Sequence, residues 1–225
     1  MNRLEIKAEA KKELRGNWGW AACIGLIIVI LNGLIFGYNM KDNIGNFQGN
    51  NVVEIVRPYV TNGTFFLGTG LGFFSGFFML SMAITFLHLS RGYKHNLFKA
   101  VFSVFTDNRF IPEFLNYLCS YVFQILWTLL LVVPGIIKSY SYALTPYIVS
   151  DLVESGKEVH ATTGITESRR LMVGHKWQLF VLDLSFLGWY LIGLLTLGIG
   201  LIWIVPYVQT TRANFYRQLA GDQFN

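Results

Sequence analysis

Apolar residues in this chain come in long blocks separated by short polar stretches. The blocks cover 18–38, 65–90, 113–133, 136–150, 177–195 and 201–211. Most are longer than a strand needs and too apolar all round for a helix with a water-facing side. About 20 helical residues cross a hydrocarbon core of about 30 Å. The pattern therefore predicts an all-α protein, a polytopic membrane helical bundle of about six transmembrane helices arranged as three helical hairpins. A single membrane domain fills 1–225. Residues 1–17 form a cytoplasmic amphipathic helix, 18–90 the first hairpin and 91–112 a cytoplasmic amphipathic segment. Residues 113–150 form the second hairpin, 151–176 another cytoplasmic amphipathic segment, 177–211 the third hairpin and 212–225 a cytoplasmic tail.

The local signals sharpen this outline. Residues 2–16 are strong helix formers ending at Gly16, a helix stop. Arg3, Lys7, Lys11 and Arg15 share a face with Leu4, Ile6, Ala8 and Leu14 interleaved or flanking, and Glu5, Glu9 and Glu13 line the opposite face. Such a helix lies on an anionic leaflet, bases and aliphatics down, or else stays solvated and touches the edge of the domain. Gly25, Gly33 and Gly37 fall on one stripe of the first span. Gly68, Gly72 and Gly76 repeat at four-residue spacing on the second, so the two stripes are expected to pack together. Phe98, Val101, Phe102 and Phe105 give 91–112 an aromatic face. Pro134-Gly135 is the turn of the second hairpin, and Thr196 to Gly200 that of the third. Pro146 and Pro206 are kinks within return helices. Residues 136–150 are read as a return span, with a re-entrant segment as the other possibility.

Charge sets the orientation. Only 14% of the 225 residues are charged, against about 25% in soluble domains. Five Lys and Arg lie in 1–17, four in 91–112, four in 151–176 and two in 212–225, against two in the segment 39–64. That bias predicts a cell-membrane, multi-pass protein with both termini cytoplasmic. The bases are scattered rather than gathered, so no nucleic acid is expected. The first apolar run has no small-residue cleavage site and reads as a retained helix. Cys23 and Cys119 lie in apolar runs as free thiols. A basic segment feeding a helix pair recurs three times, with Arg15-Gly16-Asn17-Trp18 echoed by Gly174-His175-Lys176-Trp177 and Pro146-Tyr147 by Pro206-Tyr207.

These residues resemble the bacterial integral-membrane family catalogued as domain of unknown function 975, mostly from low-GC Gram-positive bacteria, over nearly the whole chain. The resemblance is most specific in Pro134-Gly135-Ile136-Ile137-Lys138, Thr145-Pro146-Tyr147, Ser168-Arg169 through Trp177, Asp183-Leu184-Ser185-Phe186, Leu197-Gly198-Ile199-Gly200 and Pro206-Tyr207. The Pro-Gly and Pro-Tyr elements are similar, over a shorter stretch, to the membrane region of some glycerophosphodiesterases. Where the family reads Glu-Ala-Ile before its Ser-Arg pair, this chain has Thr163-Gly164-Ile165, which weakens the start of that helix. The resemblance implies an integral-membrane fold and no activity.

Ionisable and hydroxyl groups inside a membrane segment are functional candidates by default. The candidate intramembrane polar site is Asp183, Lys138, Tyr142 and Tyr147. Asp183 is either a packing device bonded to nearby hydroxyls or to Arg169 or Arg170, or part of a relay. Lys138 can snorkel outward. His88, His95, His160 and His175 sit at cytoplasmic edges, none at metal spacing, and no catalytic triad, carboxylate pair or cofactor motif is present. The leading expectation is a non-catalytic interaction, regulatory or protective component of the cell envelope. The alternative is a transporter or lipid-handling protein using a groove between Pro-broken hairpins. Expected partners are lipids of the anionic leaflet and a membrane protein or second copy; no cofactor is expected.

Overall fold

A computed structural model describes residues 2–27, 30, 64–105, 109–196, 198–221 and 223–224, and no strand occurs among them. Gly33 and Gly37 lie outside the described residues. The helices are α1 (Arg3–Leu14), α2 (Trp18–Ile27), α3 (Thr64–Ser90), α4 (Leu97–Val101), α5 (Phe110–Leu130), α6 (Val132–Tyr142), α7 (Thr145–Glu154), α8 (Thr163–Leu171), α9 (Lys176–Leu184), α10 (Leu187–Leu195) and α11 (Leu201–Ala220). The all-α expectation holds. Among the described residues one stretch, Lys176–Leu195, is long and apolar enough to cross a membrane by length and composition; Trp18–Ile27 and Gly76–Ser90 are shorter apolar helices.

The N-terminal helix differs from the leaflet-lying element expected for it. Asn2 caps α1 by accepting from the Leu4 amide at 3.1 Å, and Gly16 stops it at φ 86°. Ile6, Ala10 and Leu14 recur every four residues, so they form one stripe, and all three are buried against α11 and its neighbours. Leu4 is left exposed. Lys7 lies 4.0 Å above the Phe186 ring and Lys11 5.6 Å above that of Tyr207. The aliphatics are therefore spent on protein, because α11 offers them a dry surface.

That surface exists because α11 runs on as helix through 212–220, which a tail would not. Ala213, Phe215, Tyr216 and Ala220 are buried. Pro206 sits inside α11, and two buried threonines one turn on bond back to the helix, Thr210 donating to the Pro206 carbonyl and Thr211 to that of Tyr207.

The second hairpin turns earlier than Pro134-Gly135. The extended residue is Leu131 (φ −162°, ψ 140°), and Pro134 occupies the first turn of α6, where its missing N–H costs nothing. Gly135 is needed for another reason: a Cβ there would come within 2.9 Å of the Thr128 backbone, so it lets α5 and α6 close together. Gln124 donates to the Gly135 carbonyl at 2.7 Å. The return continues as helix to Glu154, interrupted at Ala143-Leu144 just before Pro146. The expected 177–195 span likewise breaks at Ser185-Phe186. In the third turn Gly198 adopts φ 88° and the Gly200 amide donates to the Thr196 hydroxyl at 2.9 Å.

Two of the stripe glycines, Gly25 and Gly76, meet elements other than each other's helix. A Cβ on Gly25 would meet the Ile202 carbonyl of α11 at 2.6 Å, and one on Gly76 would overlap the Tyr117 hydroxyl of α5. Gly68 and Gly72 lie within α3. Of the expected aromatic face of 91–112, Val101 is buried while Phe98 and Phe105 are exposed, because the helix ends at Val101 and a 3-10 turn follows at Ser103–Phe105.

Candidate functional site

Polar side chains gather where α3, α5, α7 and α11 meet. Asp151 is 3% exposed and accepts both guanidinium nitrogens of Arg91 at 2.7 Å, together with the Tyr216 hydroxyl at 2.6 Å. Burial, then the Asp151 charge, holds that hydroxyl well above the usual tyrosine range. One turn further along α7, Glu154 meets His88 at 2.6 Å, Arg109 at 2.8 Å and the Ser150 hydroxyl at 3.1 Å. Burial pushes the Glu154 carboxyl up, but the bonds and charges of His88 and Arg109 outweigh it and bring it to about 2. His88 Nε2 faces Glu154, and its other ring nitrogen, Nδ1, lies 2.9 Å from His95 Nε2, so one hydrogen bond joins the two rings. The helix C-terminus and the loop after it thus bring together two histidines seven residues apart.

Beside this layer a cavity of about 310 Å³ opens between α3, α5, α7 and α11. Gly76, Leu80, Ala83, Pro146 and Val149 give it apolar walls. Tyr142, Tyr147, Gln209, Arg212 and Glu113 give it polar ones. Glu113 is 2% exposed and neither of its carboxylate oxygens has a hydrogen-bond partner; the Ser120 and Thr145 hydroxyls of the same wall are also without one. That is unusual, because a buried carboxylate that accepts no hydrogen bond costs several kcal/mol, and the nearby cation Arg109 is bonded to Glu154 instead. The neighbouring wall is tightly held. Asn116 donates to the Pro112 and His160 carbonyls and accepts from the Gly164 amide, each at 2.9 Å. Gly164 seats α8 here: a Cβ would collide with Val149 and press on Asn116 and Thr145.

Of the four sequence candidates, Tyr142 and Tyr147 line this cavity, together with the kink residue Pro146. Tyr147 stacks on Tyr216 with centroids 5.3 Å apart. Asp183 stands behind the cavity wall and grips Arg212 through two bonds of 3.0 and 2.8 Å, so its partner is neither Arg169 nor Arg170. Lys138 is not brought into the group: its ammonium lies 4.4 Å over the Trp127 ring. Pro206 and Pro134 are structural, as described above. Sequence reasoning missed Glu113, Ser120, Thr145, Gln209 and Arg212. The available signal for Glu113 was its helical spacing of four from Arg109 and three from Asn116, which placed a carboxylate on a polar stripe entering an otherwise apolar helix.

The family model described as "Protein of unknown function (DUF975)" matches residues 1–145 and 128–223. No curated protein and no solved structure matches the chain.

Proposed function

We propose that this chain, which belongs to the DUF975 family, is a multi-pass protein of the bacterial plasma membrane that holds an amphiphilic cation in the cavity beside Glu113. The membrane part of the reading is supported by what the hairpin tips expose. Leu129, Leu130, Leu131 and Val133 are 62–82% exposed, and Leu194, Leu195 and Ile199 are 61–84% exposed. Monomeric soluble proteins rarely expose apolar groups in such concentration, which marks a membrane or protein contact. From the Leu131 tip back to Glu113 is about 27 Å of helix, and from Val132 to Asp151 about 28 Å, close to one hydrocarbon thickness. The charged layer then falls at the opposite boundary, where the bias of Lys and Arg puts the cytoplasm.

The single observation that carries the ligand is the partnerless carboxylate of Glu113 inside a mainly apolar chamber. A protein acting only as a scaffold has no use for such a group, since glutamine or leucine there would cost less. A cation with an alkyl chain supplies what is missing: the ammonium satisfies Glu113 and the hydroxyls of Thr145 and Ser120, and the chain covers Leu80, Ala83 and Val149. This favours the ligand- or lipid-handling reading over the scaffold.

The test uses the full chain in lipid nanodiscs, titrated with decylammonium and with decanol, which shares the chain but not the charge. Wild type binds decylammonium at least tenfold more tightly, a difference of about 1.4 kcal/mol, and Glu113→Gln removes the preference. Equal binding of the two probes by wild type would sink the proposal.

A further inference from the structure

We infer that the chamber exchanges a proton for its ligand: empty, it keeps Glu113 as a neutral carboxylic acid, and an entering ammonium takes that proton's place, so that one proton leaves for each cation bound. The inference rests on the ligand reading above and adds to it a coupling between cation and proton.

Net charge inside a dry chamber is the reason. Glu113 is 2% exposed and neither of its oxygens accepts a hydrogen bond. Glu113 and Arg212 are the charged groups among the described residues of the lining, and Arg212 is already neutralised by Asp183 through two bonds of 3.0 and 2.8 Å. An ionised Glu113 in the empty chamber is a buried charge with no donor, and a carboxyl so placed keeps its proton instead. Its position in the first turn of α5 works the other way, because a helix start favours a negative side chain. That effect is smaller than the cost of stripping water from a carboxylate that receives no hydrogen bond in return.

The remaining neighbours supply no free countercharge. Arg109, one turn back, attracts a negative Glu113 and Glu154 of α7 repels one, and these two are bonded to each other at 2.8 Å. Tyr117 of α5, Tyr142 of α6 and Tyr147 of α7 are the other titratable side chains among the described residues of the lining. None of them can carry the positive charge that an ionised Glu113 lacks. Neither α3 nor α8 brings a titratable side chain to that lining.

An ammonium that enters without displacing the proton leaves a net positive charge buried. With the proton gone, ammonium and carboxylate are neutral as a pair, and the Glu113 oxygens gain the N–H donors they lack. The step balances: Glu113–COOH and R–NH3+ give Glu113–COO− paired with R–NH3+, and one H+ passes to water. The O–H bond breaks with its electron pair left on the carboxylate, and nothing is oxidised or reduced. The hydroxyls of Ser120 and Thr145, without partners in the same wall, accept the other N–H groups of the ammonium. The chamber is thus uncharged both empty and loaded. Proton and cation compete for one carboxylate, so cation affinity rises with pH, the property by which a proton gradient can move a cation.

Proton release is counted by calorimetry on the full chain in lipid nanodiscs at pH 6.5. Decylammonium is titrated in phosphate and again in bis-Tris, with empty nanodiscs subtracted; the two buffers differ in heat of protonation, so the difference in heat gives the protons released. Wild type is expected to release about one proton per decylammonium and none with decanol, and its decylammonium affinity rises about tenfold per unit between pH 5.5 and 6.5. Glu113→Gln, checked for an unchanged circular dichroism spectrum and elution volume, releases none and loses the pH slope. The wild-type count is a test without any variant. Binding that favours decylammonium over decanol but releases no proton overturns the exchange and leaves the chamber reading standing. Release that persists in a folded Glu113→Gln chain belongs to another group and overturns it as well. A wild type that does not prefer decylammonium fails the chamber reading itself, and the exchange falls with it.

Discussion

Asp151 offers the most exacting test of how this bundle is held together. In Asp151→Asn the side chain keeps its shape and loses its charge. Arg91, only 19% exposed at its side chain, then keeps a buried guanidinium without its anion, and the Tyr216 hydroxyl loses a charged acceptor at 2.6 Å. Breaking one side of a buried pair costs about 3–5 kcal/mol, and a hydrogen bond to a charged group contributes about 1.5–3 kcal/mol. Asparagine recovers part of the second amount, so a net loss of about 3 kcal/mol is expected. For a chain of this size that lowers the melting midpoint by about 6–12 °C, read from tryptophan fluorescence in detergent. The companion variant Arg91→Met strips the other partner and leaves Asp151 buried with only the tyrosine. The double variant is expected to recover at least 1 kcal/mol relative to the sum of the singles, because each single leaves a stranded group that the other removes. A loss below 1 kcal/mol in Asp151→Asn, or singles that simply add, refutes the claim that this pair is electrostatically coupled inside the bundle.

Three further outcomes follow from the geometry. Gly76→Ala drives a methyl into the Tyr117 ring and is expected to cost about 1–3 kcal/mol; Tyr117→Leu in the same chain restores at least half of it, and an undisturbed Gly76→Ala melt contradicts the close α3–α5 approach. Burial lifts the Glu13 carboxyl to about 7 against the bonds from Asn214 and Arg217, and Glu154 sits at about 2. Between 4.5 and 7 the folded state therefore holds the Glu13 proton that the unfolded chain releases, so this group's stabilisation, on the order of 3 kcal/mol, is present below 4.5 and is lost as pH rises through 7. Glu154 acts oppositely, stabilising above 4.5 and losing its contribution as pH falls through 2. Melts of Glu13→Gln across pH 4–8 should lack the first slope, and persistence of that slope assigns it to another group. Finally, with Cys23 and Cys119 replaced by Ala, a cysteine at Lys157 is expected to stay unlabelled by an impermeant maleimide in intact cells and to react after permeabilisation; labelling in intact cells inverts the proposed topology.

The sequence by itself determined that the described residues are helical, and a few of the helix ends. Long apolar blocks favour helices, and Gly16 and Thr196 to Gly200 mark breaks through local φ constraints that need no tertiary context. Family membership was legible for the same reason, since it rests on linear motifs. Which groups meet was decided by the tertiary structure alone. Asp183 and Arg212 are 29 residues apart, and nothing in a linear pattern chooses Arg212 over Arg169. Residues 212–220 read as a polar tail because hydropathy averages over faces, while α1 needs just one face of α11 to bury Ile6, Ala10 and Leu14. Half of the candidate site, Tyr142 and Tyr147, could be anticipated from their place around Pro146. Glu113 could not: a carboxylate near a helix start is ordinary until the neighbouring helices close over it, and only that closure turns it into the one acid of the chamber with no partner of its own.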